Sequence, residues 1–273
     1  MSELDLIKEN SHLRREVVRL RAKVDAFERS RWLRLHPRRL SGGLVRSVRA
    51  ARHEPPSTTS QAPPSTPDPD PIVARFREEV VEHGLFSAEW FVHNIGLWEP
   101  ILRELDGRSS ELLEIGSFEG LGSSYLLWRL PDAQLTCIDT FEGTFEQVTS
   151  GVLLTDLEQR FDHNVALVGA SRVRKLVGDS RKTLPQLIEE RRSFDLVYVD
   201  GSHHALDVLT DAAHAWRLLA PGGIVIFDDY TWQWPGSDPL LRTGPAIDAF
   251  LDVVSDSAEP LFKERQVAVR KTG

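Results

Sequence analysis

Apolar positions along this chain follow two different periods. From Leu6 to Phe27 they recur every seventh residue, with Leu6, Leu13, Leu20 and Phe27 at one seam position and Asn10, Val17 and Val24 at the other. That spacing predicts a coiled-coil helix over residues 1–30. From Glu111 onward, short apolar runs (LLEI, LTCID, VRKLV, FDLVYVD, GGIVIFDD) alternate with amphipathic stretches at Leu121–Leu130, Leu157–Ala170, Ser180–Glu190 and His204–Leu219. Strands alternating with helices of this length predict an α/β fold, a parallel sheet with right-handed crossovers. LVYVD and IVIFD are apolar on both faces, as central parallel strands are. LAPGG ahead of the last run predicts a helix stop and a turn. Near the end, AIDAFLDVV reads as an amphipathic helix and PLFKERQVAVRK as two short strands with a tight connection.

The acids sit at the ends of the predicted strands. Glu114 lies two residues before Gly116, Asp139 ends LTCID, Asp179 follows VRKLVG, Asp200 ends LVYVD, and Asp228 and Asp229 end IVIFDD. Ligands of parallel α/β sheets bind at this carboxyl edge. After the first strand, ELLEIGSFEGLG turns through Gly116, Gly120 and Gly122 into a helix, bringing bare backbone N–H groups up to a ligand. A dinucleotide site would carry G-x-G-x-x-G. The spacing here, E-x-G-x-x-x-G-x-G, is that of an S-adenosylmethionine site.

In order, EIGSFEG, CIDTFEG, GDS, DGSHH and LLAPGGIVIFDDY resemble the motifs of class I S-adenosylmethionine-dependent methyltransferases, in the branch that includes macrocin O-methyltransferase. The resemblance spans roughly residues 85–271. It implies a doubly wound seven-stranded, mostly parallel sheet whose last strand runs antiparallel. It also implies contacts from Glu114 and Gly116 to the methionine part of the cofactor, from Asp139 to its ribose, and from Asp179 and Ser180 to its adenine end, with Ser117 and Gly120 also binding the cofactor. Asp at either of the last two acid positions is also a good helix N-cap.

Methyl transfer to oxygen needs an aligned hydroxyl and a group that makes it anionic, either a base or a divalent cation. Asp200, Asp228 and Asp229 converge on neighbouring strand ends, and three carboxylates there repel one another unless a cation or a proton intervenes. Oxygen ligands suit Mg²⁺. The metal-dependent members of the resembled family carry acids at these three positions. They often carry another acid two positions after the first; this chain has Ser202, followed by His203 and His204. His203, nearer the strand end, is the expected base beside Asp200, unless both histidines only lead the next helix. A metal-free site is the alternative, with N- or O-methylation through the His base.

Two segments are expected to wall the acceptor pocket: Trp90 and His93, on a predicted helix over the cleft, and Tyr230, Trp232 and Trp234, in a Gly/Pro-rich loop after the fifth strand. Trp98 reads as core. Composition narrows the acceptor. From residue 54 onward 19 Lys and Arg face 35 Asp and Glu, the wrong sign for a nucleic-acid enzyme. A small molecule, including a saccharide, remains.

Residues 1–53 have the opposite balance, 14 Lys and Arg against 6 acids. Charges flanking the seam and the single Asn at a core position predict a parallel homodimer through residues 4–28. Residues 31–53 form a basic amphipathic segment; Arg31–Arg52 holds seven arginines and no acid, and suits an anionic membrane surface or an acidic partner. Residues 54–71, EPPSTTSQAPPSTPDPDP, read as a disordered tether, and 72–273 as the methyltransferase domain. The one cysteine, Cys137, fits a reducing compartment, and no apolar run is long enough to span a bilayer; a cytoplasmic enzyme is expected. A non-catalytic cofactor-binding domain that assembles through the coiled coil is the competing class.

Overall fold

The computed structural model describes residues 70–143, 154–233 and 240–273. The predicted coiled coil (1–30), the basic segment (31–53), the tether up to residue 69, residues 144–153 and Trp234 lie outside them. Asp70 and Pro71, read as the end of the tether, instead start helix α1 (Pro71–Glu79): Asp70 Oδ1 accepts the Ile72 N–H at 3.0 Å, and proline occupies the first turn.

Seven strands form one sheet: β1 (Glu111–Ile115), β2 (Gln134–Asp139), β3 (Val173–Val177), β4 (Phe194–Val199), β5 (Leu219–Phe227), β6 (Ala258–Lys263) and β7 (Val267–Lys271). Their order is β3-β2-β1-β4-β5-β7-β6, and β7 runs antiparallel to both its neighbours. The helices are α1, α2 (Ile95–Leu102), α3 (Leu121–Arg129), α4 (Leu157–Ala166), α5 (Ser180–Glu189), α6 (Ala205–Leu218) and α7 (Gly244–Val254). Strand side chains alternate between two cores. Leu112, Cys137, Leu196, Tyr198 and Ile226 pack with Phe76, Trp98, Tyr125 and Phe161 from α1–α4. Leu113, Ile138, Val197, Val199 and Phe227 pack with Leu184, Ala212 and Phe250 from α5–α7. This is the expected doubly wound architecture.

The same period of two sets the parity of the strand-end acids. Glu114 follows Leu112, Asp139 follows Cys137, Asp200 follows Tyr198 and Asp228 follows Ile226, so all four belong to the face that α1–α4 cover. Ladder hydrogen bonds run past the strand ends, from Gly116 N–H to Ile138 O, Asp200 N–H to Ile115 O and Asp228 N–H to Val199 O, at 2.8–3.0 Å, which keeps the edge in register.

Two local expectations are corrected. LAPGG is part of β5: Phe194 pairs with Leu219 and Leu196 with Ile224, so Ala220–Gly223 bulge opposite Asp195, with Gly222 at φ 77°. Trp90 and His93 are not on one helix. Trp90 lies in a turn, and a 3₁₀ turn at Val92–Asn94 leads into α2.

Candidate active site

A cavity of about 750 Å³ opens at the carboxyl edge between the β1 and β4 ends, where the strand order reverses. One end reaches Gly178, Asp179 and Ser180; the other reaches Asp229 and Trp232.

The glycine turn forms its floor. Gly116 adopts φ 88°, and a Cβ there would lie 2.1 Å from the Asp200 carbonyl oxygen, so no other residue lets β1 and β4 stay this close. Phe118 (φ 48°) and Gly120 (φ 77°) complete a left-handed turn into α3. Gly120 does not line the cavity; a Cβ on it would meet Phe161 at 2.8 Å. Gly122 passes Glu114, whose Oε1 would lie 2.6 Å from an added Cβ.

Glu114 is buried under α3, accepting hydrogen bonds from Ser123 Oγ and, at 3.7 Å, from Cys137 Sγ. Burial pushes its pKa up to about 7, against the pull of the Ser123, Ser117 and Cys137 donors. Asp139 clamps the turn: Oδ2 accepts Phe118 N–H at 2.7 Å and Oδ1 accepts Phe141 N–H at 2.6 Å. Burial raises its pKa despite those bonds. Ser117 is buried on the same wall. Asp179 caps α5 by accepting Arg181 N–H at 3.0 Å, and its carboxylate also meets Arg181 Nη2 at 2.5 Å. That hydrogen bonding holds it below the ordinary carboxylate range. The capping role read as an alternative for Asp179 is therefore present, at a residue that also faces the cavity.

At the other end the acids divide. Tyr198, two residues before Asp200 on β4, donates its hydroxyl to Asp228 Oδ2 and lies 3.0 Å from Asp200 Oδ2. Asn94 Nδ2 approaches Asp228 Oδ2 at 3.4 Å; Arg265 Nε, from the β6–β7 connection, holds the Asn94 amide at 2.8 Å. Burial, then neighbouring carboxylates, raise the pKa values of Asp200 and Asp228. Asp229 goes elsewhere: it has φ 56°, and its Oδ2 lies 2.7 Å from His203 Nε2. Trp232 packs against the His203 ring, 4.1 Å between centroids and tilted by 36°.

This division bears on the expected metal centre. With Asp200 and Asp228 converging on a tyrosine hydroxyl and Asp229 on an imidazole, no group of three or more His, Cys, Asp and Glu side chains among the described residues is arranged to hold a metal ion. As arranged, the three aspartates do not fit a divalent ion, although their donor chemistry would suit one.

The acceptor wall is also partly revised. Trp90, 47% exposed, lines the cavity and stacks on Phe118 at 5.7 Å between centroids. His93 lines it too, its pKa lowered by burial and by Arg265. Tyr230 does not: its hydroxyl donates to Asp248 on α7 at 3.0 Å, and Lys263 lies over its ring. Trp98 is core, as expected, with its indole N–H donating to Gln266 at 2.8 Å. Sequence reasoning missed Tyr198, which its apolar neighbours disguise, though strand periodicity puts it on the face of Asp200.

Residues 113–230 match the model of a family described as a methyltransferase domain. That span is 118 of the 273 residues, and over it the chain is similar to this family. Among solved structures, the O-methyltransferase TomG from Streptomyces achromogenes, involved in tomaymycin synthesis and in complex with SAM, aligns at 21% identity and TM-score 0.51 over 75% of this chain and 91% of that one. The MycE methyltransferase of the mycinamycin biosynthetic pathway, in complex with Mg, SAH and mycinamycin VI, aligns at 20% identity and TM-score 0.51 over 75% of this chain. The match spans 55% of MycE. At these identities the likeness is one of fold. No curated protein sequence matches the chain.

Proposed function

We propose that this chain transfers the methyl group of S-adenosylmethionine to a hydroxyl of a small-molecule or saccharide acceptor, with His203 as proton acceptor. The observation that carries the reading is the 2.7 Å contact between His203 Nε2 and Asp229 Oδ2, in the cavity whose other walls are the glycine turn and Asp179. S-adenosylmethionine supplies a methyl group on a positively charged sulfur. The acceptor oxygen forms the new O–C bond while the S–C pair stays on sulfur. The Asp229 contact orients the imidazole, which takes the hydroxyl proton as general base. Asp229 then stabilises the imidazolium. Asp200, raised in pKa, is the second candidate acceptor of that proton. Glu114, Gly116 and Ser117 are assigned to the methionine end, Asp139 to the ribose, and Asp179 with Ser180 to the adenine. Trp90, His93 and Trp232 are assigned to the acceptor.

A divalent-cation reading keeps one observation in its favour. Asp200 and Asp228 are raised in pKa by neighbouring carboxylates as well as by burial, a repulsion that Mg²⁺ would relieve. It requires Asp229 to exchange His203 for the ion. Among the described residues no helix is long and apolar enough to cross a membrane. We further propose a cytoplasmic homodimer assembled through residues 4–28, with residues 31–52 available to an anionic surface.

Calorimetric titration with S-adenosylmethionine and then Mg²⁺, followed by S-adenosylhomocysteine release on a panel of saccharide and catechol hydroxyls, tests both readings. His203→Asn is expected to lower kcat by roughly 10²–10⁴-fold while cofactor affinity stays within about twofold. A saturable Mg²⁺ isotherm, lost in Asp228→Ala, would move the proton-lowering role to the ion. Absence of cofactor binding would remove the enzyme reading.

A further inference from the structure

Glu119 is a buried carboxylate in the glycine turn that no reacting group uses. Its Oε2 accepts Ser87 N–H at 2.7 Å, its Oε1 accepts Ser87 Oγ–H at 2.7 Å, and Arg160 Nη1 on α4 lies 2.5 Å from Oε1. One turn along α4, Asn164 donates Nδ2 to the Glu119 carbonyl at 2.7 Å and to the Leu85 carbonyl at 3.4 Å, and its Oδ1 accepts Leu85 N–H at 2.6 Å. Two side chains thus fasten the Leu85–Ser87 segment to the turn. Burial holds that segment only in part: Phe86 packs against the core, while Leu85 is 49% exposed and Ser87 is exposed. A buried ion pair costs desolvation and contributes little net stability, so its value here lies in the geometry that it fixes.

Immediately after the fastened segment, the chain forms the front of the cavity. Ala88, Trp90 and Phe91 line it, and Trp90 stacks on Phe118, the residue just before Glu119. Phe118 holds a left-handed backbone angle, which is strained for a residue with a side chain, and Gly120 beside Glu119 takes the same region as glycine does freely. We propose that Glu119 is a positioning residue: it locks the Leu85–Ser87 strap onto the glycine turn, so that one clip sets both the cofactor's floor and the Trp90 wall facing the acceptor. The cofactor part of this inference rests on the methyltransferase reading above. The strap itself does not.

The test compares wild type with Glu119→Ala, Glu119→Gln and Ser87→Ala in the full chain, using Trp90→Phe to identify the Trp90 contribution to near-ultraviolet circular dichroism. Loss of that band is expected in both Glu119 variants, with a partial loss in Ser87→Ala, whose backbone N–H bond survives. Affinity for S-adenosylmethionine is expected to fall at least tenfold in Glu119→Ala and two- to fivefold in Ser87→Ala, with far-ultraviolet spectra unchanged. Glu119→Ala removes the partner of a buried arginine and can fail to fold; Ser87→Ala, at an exposed site, still reads the clip. A Trp90 band and cofactor affinity within twofold of wild type in both Ser87→Ala and Glu119→Gln would overturn the proposal. If wild type binds no cofactor, the methyltransferase reading fails, and the Trp90 band still decides whether the strap exists.

Discussion

Glu114 is a buried carboxylate at the cavity edge. Burial lifts its pKa from 4.5 to about 7, so the folded protein keeps a proton that the unfolded chain has released. A raised carboxylate adds stability at low pH, and that contribution disappears as pH climbs from 4.5 through about 7. The shift corresponds to about 3 kcal/mol, as an order of magnitude. Glu114→Gln carries no such proton, so its unfolding temperature relative to wild type is expected to rise between pH 5.5 and pH 8.5. Bound S-adenosylmethionine is positively charged and favours the ionised form. Its affinity for wild type is therefore expected to grow as pH passes 7, with proton release visible when titrations are repeated in buffers of different ionisation enthalpy. Parallel pH profiles for wild type and Glu114→Gln would dismiss the account. The position of this acid, two residues before the first glycine, was legible in the sequence. Its protonation was not, because that follows from burial under α3, which outweighs the opposing Ser123, Ser117 and Cys137 donors.

At the scale of elements, strand-end placement and strand parity were readable because a period of two needs only neighbouring residues. Departures from regular strand geometry were not. The β5 bulge reads as a plain turn in LAPGG, and the left-handed φ of Asp229, at a residue with a side chain, leaves no mark in the sequence. The adjacent aspartates separate, one toward Tyr198 and one toward His203, as alternation along a strand already favours. Two glycines isolate what the turns require. Gly222 has φ 77° with nothing within 4 Å of an added Cβ, so Gly222→Ala meets only backbone strain, about 1–2 kcal/mol, and should leave cofactor affinity unchanged. Gly116 has φ 88° and backbone of Asp200 at 2.1 Å, so Gly116→Ala must also push β4 away from β1. A cost on the order of 3 kcal/mol or more and loss of cofactor binding are expected, read by denaturant melts and calorimetry. Equal effects from the two substitutions would mean that close approach at Gly116 is not what the turn demands.

Over the whole molecule, charge divides the chain. Residues 1–53 hold 14 Lys and Arg against 6 acids, while the rest holds 19 against 35. The acids of the second part include those that edge the cavity; the first part carries the heptad seam and shares none of the residues assigned to chemistry. If the seam dimerises, catalysis and assembly are separable functions of one chain. Replacing Leu13 and Leu20 by Asp in the full chain puts charge into two core positions of the seam. Sedimentation equilibrium is then expected to change from dimer to monomer, while calorimetric affinity for S-adenosylmethionine stays within about twofold. A wild type that sediments as a monomer would assign the heptads to a different role. A cofactor affinity that falls together with the dimer would mean that assembly completes the site, and the separation drawn from charge would be wrong.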